Sequence, residues 1–320
     1  MAGENETFTS EFILLGFTTQ ADPQVMFLVL FLALYMVTLL GNLGVIVLIQ
    51  IDPRLHTPMY FFPSHLSLLD ICYFSTIIPW SLRDLLVDKK VISFARWITQ
   101  LFSFATWATT ECHVLATMGY DRHVAICRLL LYSMLMSQRI CGGMLAGAYL
   151  AAVLSSTPHT VSIFHTPFCR SRTIEHFFCD GPPLLALSCS DTCASRAVVP
   201  AVVGFNVLST TAFILVSFSS ILTAVLQIRS VAGRNKALST CTSHLASVAL
   251  HHGSSLRRDL CHSILRDLCP VCSHSPQQDK FISLVYSVTI PMLRPFVHSL
   301  RSMDVRSTMR KARSRILAAW

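Results

Sequence analysis

Charge is scarce in this chain. Asp, Glu, Lys and Arg make up 13% of its 320 residues, where a soluble domain carries about 25%. A deficit of that size over the full length argues against an ordinary soluble fold. Acidic residues are the scarcer kind, 17 against 25 basic ones, for a net charge of +8. A basic surplus raises the question of nucleic acid, but a nucleic-acid binder displays its bases on a polar surface, and 52% of this chain is hydrophobic. No nucleic-acid partner is expected. Catalytic signatures are missing as well: no GxSxG, HExxH or P-loop pattern occurs, so an enzyme is not expected. The opening MAGENETFTSEF has no basic stretch ahead of an apolar one and no small-residue cleavage site. A cleaved leader is therefore not expected, and the first apolar run acts as its own anchor.

What the chain has instead is long apolar runs. Those at 25–49, 58–80, 98–120, 140–164, 197–228 and 281–300 are each near the ~20 residues that cross about 30 Å of hydrocarbon. The second holds Asp70, and the third holds Glu111 and His113. The fourth is dotted with small residues (Gly142, Gly143, Gly147, Ala148, Ala151, Ala152), the kind that permits close helix contact. Between the fifth run and the last, 237–256 is only weakly apolar and carries three His, and five charges follow between Arg257 and Asp267. Each charge at a bilayer centre costs about 2.5–3.5 kcal/mol on insertion scales. That segment is a poor span by itself and needs neighbours to insert.

Loop charges decide whether it crosses. With seven spans and an outside N-terminus, Arg54, Arg122, Arg128, Arg139, Arg229, Arg234, Lys236 and the bases of the tail fall on one side. That side nets +10, against −1 opposite. This is the positive-inside asymmetry; with six spans the basic tail would fall outside. The sequon Asn5-Glu6-Thr7 then lies on the glycosylated face. The twelve cysteines mostly sit inside apolar runs, where a thiol is a small hydrophobe. Cys169, Cys179, Cys189 and Cys193 instead cluster in one polar loop, which is disulfide-capable only on the oxidising side. Cys269-Pro270-Val271-Cys272 with His262 and His274 is too loosely spaced for the four well-placed ligands of structural zinc. Neither a metal nor a cofactor is expected.

Several long segments carry a family likeness: LHTPMYFF at 55–62, SHLSLLDICY at 64–73, MGYDRHVAIC at 118–127, KALSTCTSHL at 236–245 and PMLRPFVHSL at 291–300. With the opening NETFTSEFILLGFT, the Gly41-Asn42 pair and the loop HFFCDGPPLLALSCSD, they resemble vertebrate odorant receptors, which are rhodopsin-like G-protein-coupled receptors. The resemblance covers 5–250 and 277–310. It implies an all-α membrane protein, a single domain over 1–320. The expected architecture is a seven-helix transmembrane bundle with an atypical sixth helix, 1–24 outside and the basic tail 301–320 in the cytosol. It also implies a small volatile organic ligand, a heterotrimeric G protein of the stimulatory olfactory type that raises cyclic AMP, surrounding membrane lipid and a plasma-membrane address. No paired repeat or broken half-helix of the transporter kind is found.

The resemblance assigns residues as well. A ligand cavity is expected at Phe104, Ala105, Ala108, Thr109, Val202 and Asn206, an apolar wall with one hydroxyl and one amide; ordinary helix packing is the alternative for each. Asp121 and Arg122 form the coupling switch, in which a permanently charged guanidinium exchanges partners. His123 stands where the family has Tyr. Asn42, Asp70 and Glu111 form an intramembrane polar cluster. Arg294 replaces a usual Asn and is expected to pair with Asp70 or Glu111, since a buried charge needs a partner. His298 and Phe218 take Tyr positions of the switch, and His251-His252 precede Gly253 where aromatic residues are usual. Trp97 occupies the position of a tethering Cys. The resemblance then implies that Cys169 and Cys189 can still pair, with Cys179 unpaired or bridged to Cys193. Losing an extracellular tether costs about 2–5 kcal/mol. Together with Pro63, which removes a helix hydrogen bond from the second span, and the lapse in likeness from 254 to 276, this supports an alternative: a non-signalling relic retained in the endoplasmic reticulum.

Overall fold

The computed structural model describes residues 11–14, 21–87, 91–164, 173–174 and 193–259. Six long helices run through them: α1 (Ala21–Ile51), α2 (Pro58–Leu86), α3 (Phe94–Cys127), α4 (Gln138–Phe164), α5 (Cys193–Leu226) and α6 (Val231–Asp259). Local chemistry sets several of the ends. The connection after α1 is a 3-10 turn, Pro53–Leu55, started by Asp52, whose carboxylate accepts from the Arg54 amide at 3.0 Å. Pro58 opens α2 at a first-turn position, where its missing N–H costs nothing. Ser93 caps α3, its hydroxyl accepting from the Arg96 amide at 3.3 Å. Pro63 and Pro79 both lie inside α2. The helix continues through Pro63 although that residue gives up its own N–H bond.

Four of the helices, α1, α2, α4 and α5, are long and apolar enough to cross a membrane. Their outward faces show it: Leu40 on α1, Leu150 and Leu154 on α4, and Phe205 and Leu208 on α5 are 62–73% exposed. Such a surface suits contact with lipid. α3 and α6 fall short of that apolar mark because they carry the polar groups of the interior. α3 is the hub: α2, α4, α5 and α6 all pack on it, and α1 joins through α2. The main core gathers Phe62, Leu66 and Leu69 from α2, Val114, Leu115 and Met118 from α3, Leu145 and Ala148 from α4, Ile214 from α5 and Val248 from α6.

The small residues expected to bring α4 close to its neighbours divide by type. A Cβ added at Gly142, Gly143 or Gly147 would meet nothing within 4 Å among the described residues, so these glycines do not make the close contact of α4. Ala148 and Ala152, 4% and 0% exposed, make it instead. At Gly119 of α3 an added Cβ would make ordinary contact, 3.5 Å from Cε1 of His244 and 3.7 Å from Ile214.

The helical bundle carries a small three-stranded sheet at one end. β1 (Glu11–Leu14) lies between β2 (Val91–Ser93) and β3 (Thr173–Ile174). It pairs antiparallel to β2, with Phe12 opposite Ile92, and parallel to β3, with Ile13 opposite Thr173. Three segments far apart in sequence are thus laced together at one end of the bundle. The segment 237–256, the weak span of the sequence, is continuous helix within α6.

Candidate functional site

α6 is held in place by its histidines. His244, 2% exposed, sets Nε2 2.9 Å from the Leu115 carbonyl of α3 and stacks on Phe218 of α5 at 5.5 Å. Two turns further along the same face, Nδ1 of His251 pairs with Oε1 of Glu111, and Nε2 of the same ring lies 3.0 Å from Sγ of Cys112. Nε2 of His252 lies 3.1 Å from the hydroxyl of Thr210 on α5. All of these groups are buried, Glu111 at 4% and His251 and His252 at 6%. A helix of low apolarity is thus retained because each of these three imidazoles finds a partner on α3 or α5. Among the described residues Glu111 meets His251; Arg294, expected to pair with Asp70 or Glu111, and His298 lie outside the described residues.

The residues expected around a ligand are placed on two seams. Phe104, 5% exposed, faces α2: its ring meets Tyr73 at 5.1 Å and joins a cluster with Phe31, Phe74, Ile77 and Ile78. Asn206, also 5% exposed, lies at the seam of α5 with α4, where Ser155 donates to its side-chain oxygen at 3.3 Å and its amide donates to the Val202 carbonyl at 2.7 Å. Ala105, Ala108, Thr109 and Val202 are half-buried on α3 and α5. Packing therefore accounts for Phe104, and a hydrogen bond across helices for Asn206. A cavity of about 210 Å³ lies elsewhere, between the ends of α1, α2 and α4, lined by Leu55, His56, Pro58, Phe61 and Cys141 among others.

At that same end of the bundle Asp121 and Arg122 are 2% and 8% exposed. The Asp121 carboxylate accepts a 2.9 Å hydrogen bond from Tyr132 in the short helical turn Tyr132–Leu135. Nε of Arg122 has no hydrogen-bond partner among the described residues. Burial pushes the Tyr132 hydroxyl above its ordinary range, and the charge and hydrogen bond of Asp121 push it further. Tyr132 therefore stays a donor. It was not singled out from sequence, because a Tyr eleven residues beyond an Asp signals nothing until the chain turns back. His123 stacks beside Tyr120 at 6.4 Å.

Asn42, Asp70 and Glu111, on α1, α2 and α3, are all buried, at 0%, 1% and 4%, and the Asn42 amide donates to the Thr38 carbonyl at 3.0 Å. Trp97, in place of the tethering cysteine, is fully buried. Beside it, the Arg96 guanidinium lies 3.7 Å from the centre of the Trp80 ring and 3.7 Å from Asp84, so α2 and α3 are joined non-covalently at the end that carries the sheet. Cys72, Cys112, Cys127, Cys141 and Cys241 are unbridged. Asn5, Cys169, Cys179 and Cys189, and the side chain of Cys193, lie outside the described residues, as do the expected span 281–300 and the basic tail.

The family model described as olfactory receptor matches residues 31–315 of this chain. The chain belongs to the olfactory receptor family. Olfactory receptor 8U3 of Mus musculus is 44% identical over 312 residues, which is 98% of this chain and 95% of that protein. Olfactory receptor 5AR1 of Homo sapiens is 44% identical over 311 residues, 97% of this chain and 98% of the relative. Among solved structures, squid rhodopsin superposes with a TM-score of 0.75 at 16% identity, covering 94% of this chain and 88% of its own. This olfactory receptor is therefore a G-protein-coupled receptor of seven-helix fold, a membrane protein and not an enzyme.

Proposed function

We propose that this receptor binds small volatile organic molecules between α3, α5 and α6, and couples to a stimulatory olfactory-type G protein that raises cyclic AMP. It does so as a single domain at the plasma membrane, with the N-terminus outside and the tail of 301–320 inside. The supporting observation is the end of α3. Asp121 is held by Tyr132 at 2.9 Å while Nε of the adjacent Arg122 is left without a hydrogen-bond partner among the described residues. A buried guanidinium beside a clamped acid is poised to take a new partner, the behaviour coupling demands. Membership in the olfactory family supports the ligand class.

The test is surface labelling of an N-terminally tagged copy, followed by cyclic AMP measurement across a panel of volatiles. Arrival at the cell surface with ligand-dependent cyclic AMP is expected. Retention in the endoplasmic reticulum with no response to any volatile would instead identify a non-signalling relic of the family.

A further inference from the structure

Signalling as proposed leaves one buried nucleophile unused. Sγ of Cys112 lies 3.0 Å from Nε2 of His251, and Nδ1 of the same ring meets the carboxylate of Glu111. A carboxylate only accepts, so Nδ1 carries the proton and Nε2 turns its lone pair toward the thiol. Thiol, imidazole and carboxylate thus stand in the order that activates a cysteine nucleophile. Two other described thiols lack this. Cys127 and Cys141 point Sγ at the carbonyls of Ser220 and Met136, each at 3.6 Å, and a carbonyl cannot take the proton away. His252, whose ring centre is 5.3 Å from that of His251, is occupied with Thr210.

Position sets the sulfur of Cys112, a residue 3% exposed, beneath the residues expected around a ligand. Cys112 follows Ala108 by four residues and Thr109 by three, so all three share a face of α3 with the sulfur one turn deeper. If α3 lines the ligand cavity, Cys112 stands at its floor. We propose that Cys112 captures α,β-unsaturated aldehydes and ketones covalently, making this receptor a retentive detector of electrophilic volatiles; the proposal rests on the cavity reading above. In the step, Sγ bonds to the β-carbon as its proton passes to Nε2 of His251, and the C=C pair moves onto the carbonyl as an enolate. The imidazolium, steadied by Glu111, then returns the proton to the α-carbon. The sum is addition of S–H across a double bond, with no leaving group and no change in oxidation state overall.

The experiment uses the full-length receptor in lipid nanodiscs. Trans-2-hexenal is added, adducts are fixed with borohydride, and cysteine peptides are quantified over time by mass spectrometry. Cys141 is the internal control, since it is 2% exposed against 3% for Cys112. Cys112 is expected to react about a hundredfold faster, the usual scale of a positioned base, and His251→Phe should bring it down to the Cys141 rate. Equal rates in the native receptor, or an unchanged Cys112 rate in His251→Phe, would overturn the proposal; the first comparison needs no variant and so survives a folding failure. Prior addition of the saturated analogue hexanal should protect Cys112. A fast Cys112 without protection would refute the cavity reading while leaving the thiol relay in place.

Discussion

The hydroxyl of Tyr132 donates a 2.9 Å hydrogen bond to Asp121, tying the turn after α3 to the acid beside Arg122. Bonds to charged groups contribute about 1.5–3 kcal/mol, and Asp121 is only 2% exposed. Tyr132→Phe is expected to lower thermal stability by that order and to raise ligand-independent cyclic AMP, because an unclamped Asp121 no longer favours the resting arrangement. Unchanged melting and basal signal together would show that the bond does neither.

Glu111 and His251 offer a test of mutual dependence. Breaking a buried pair from one side costs about 3–5 kcal/mol, whereas replacing both partners is often close to neutral. Glu111→Gln and His251→Phe are each expected to destabilise the purified receptor strongly, and the double variant less than their sum. A double-mutant cycle by thermal denaturation measures the coupling; additive effects would mean the two residues do not hold each other.

Arg96 is expected to act through Trp80 more than through Asp84. A cation over an aromatic face contributes from about 0.5 kcal/mol when exposed to 2 kcal/mol when desolvated. A partly exposed ion pair contributes about 0.2–1 kcal/mol, and the Arg96 and Asp84 side chains are 15% and 14% exposed. Trp80→Ala should therefore reduce surface expression and melting temperature more than Asp84→Asn. The reverse order would assign the link to the carboxylate.

Gly119 separates space from helix propensity. An added Cβ would meet His244 at 3.5 Å, which is ordinary contact, so Gly119→Ala should be neutral or stabilise by about 0.5–1 kcal/mol through reduced backbone freedom. Gly119→Leu should wedge α3 from α6 and cost about 1–3 kcal/mol. Comparable melting for the two variants would show that the helices are not in contact there.

Much of the architecture was legible in the sequence because lipid imposes a length and a composition. The runs at 25–49 and 140–164 became α1 and α4 with ends moved by a few residues at most. The buried state of Asp70 and Glu111 followed from their place inside apolar runs, whereas that of Asp121 and Arg122, read from sequence as border charges, came only with the structure. The strands of β1, β2 and β3 were not legible: each is two to four residues long, and β2 and β3 find their backbone partner only in β1, which lies between them.

What the sequence determined by itself was the membrane habit and the family, since hydrocarbon length and long ordered motifs are properties of consecutive residues. What only the tertiary structure decided was pairing. His251, His252 and His244 read along the chain as faults in a span, and only the arrival of α3 and α5 alongside supplies the carboxylate, hydroxyl and carbonyl that make each imidazole acceptable inside. A buried polar group is costly or stabilising according to what stands across from it, and that neighbour lies more than a hundred residues away for His244 and His251.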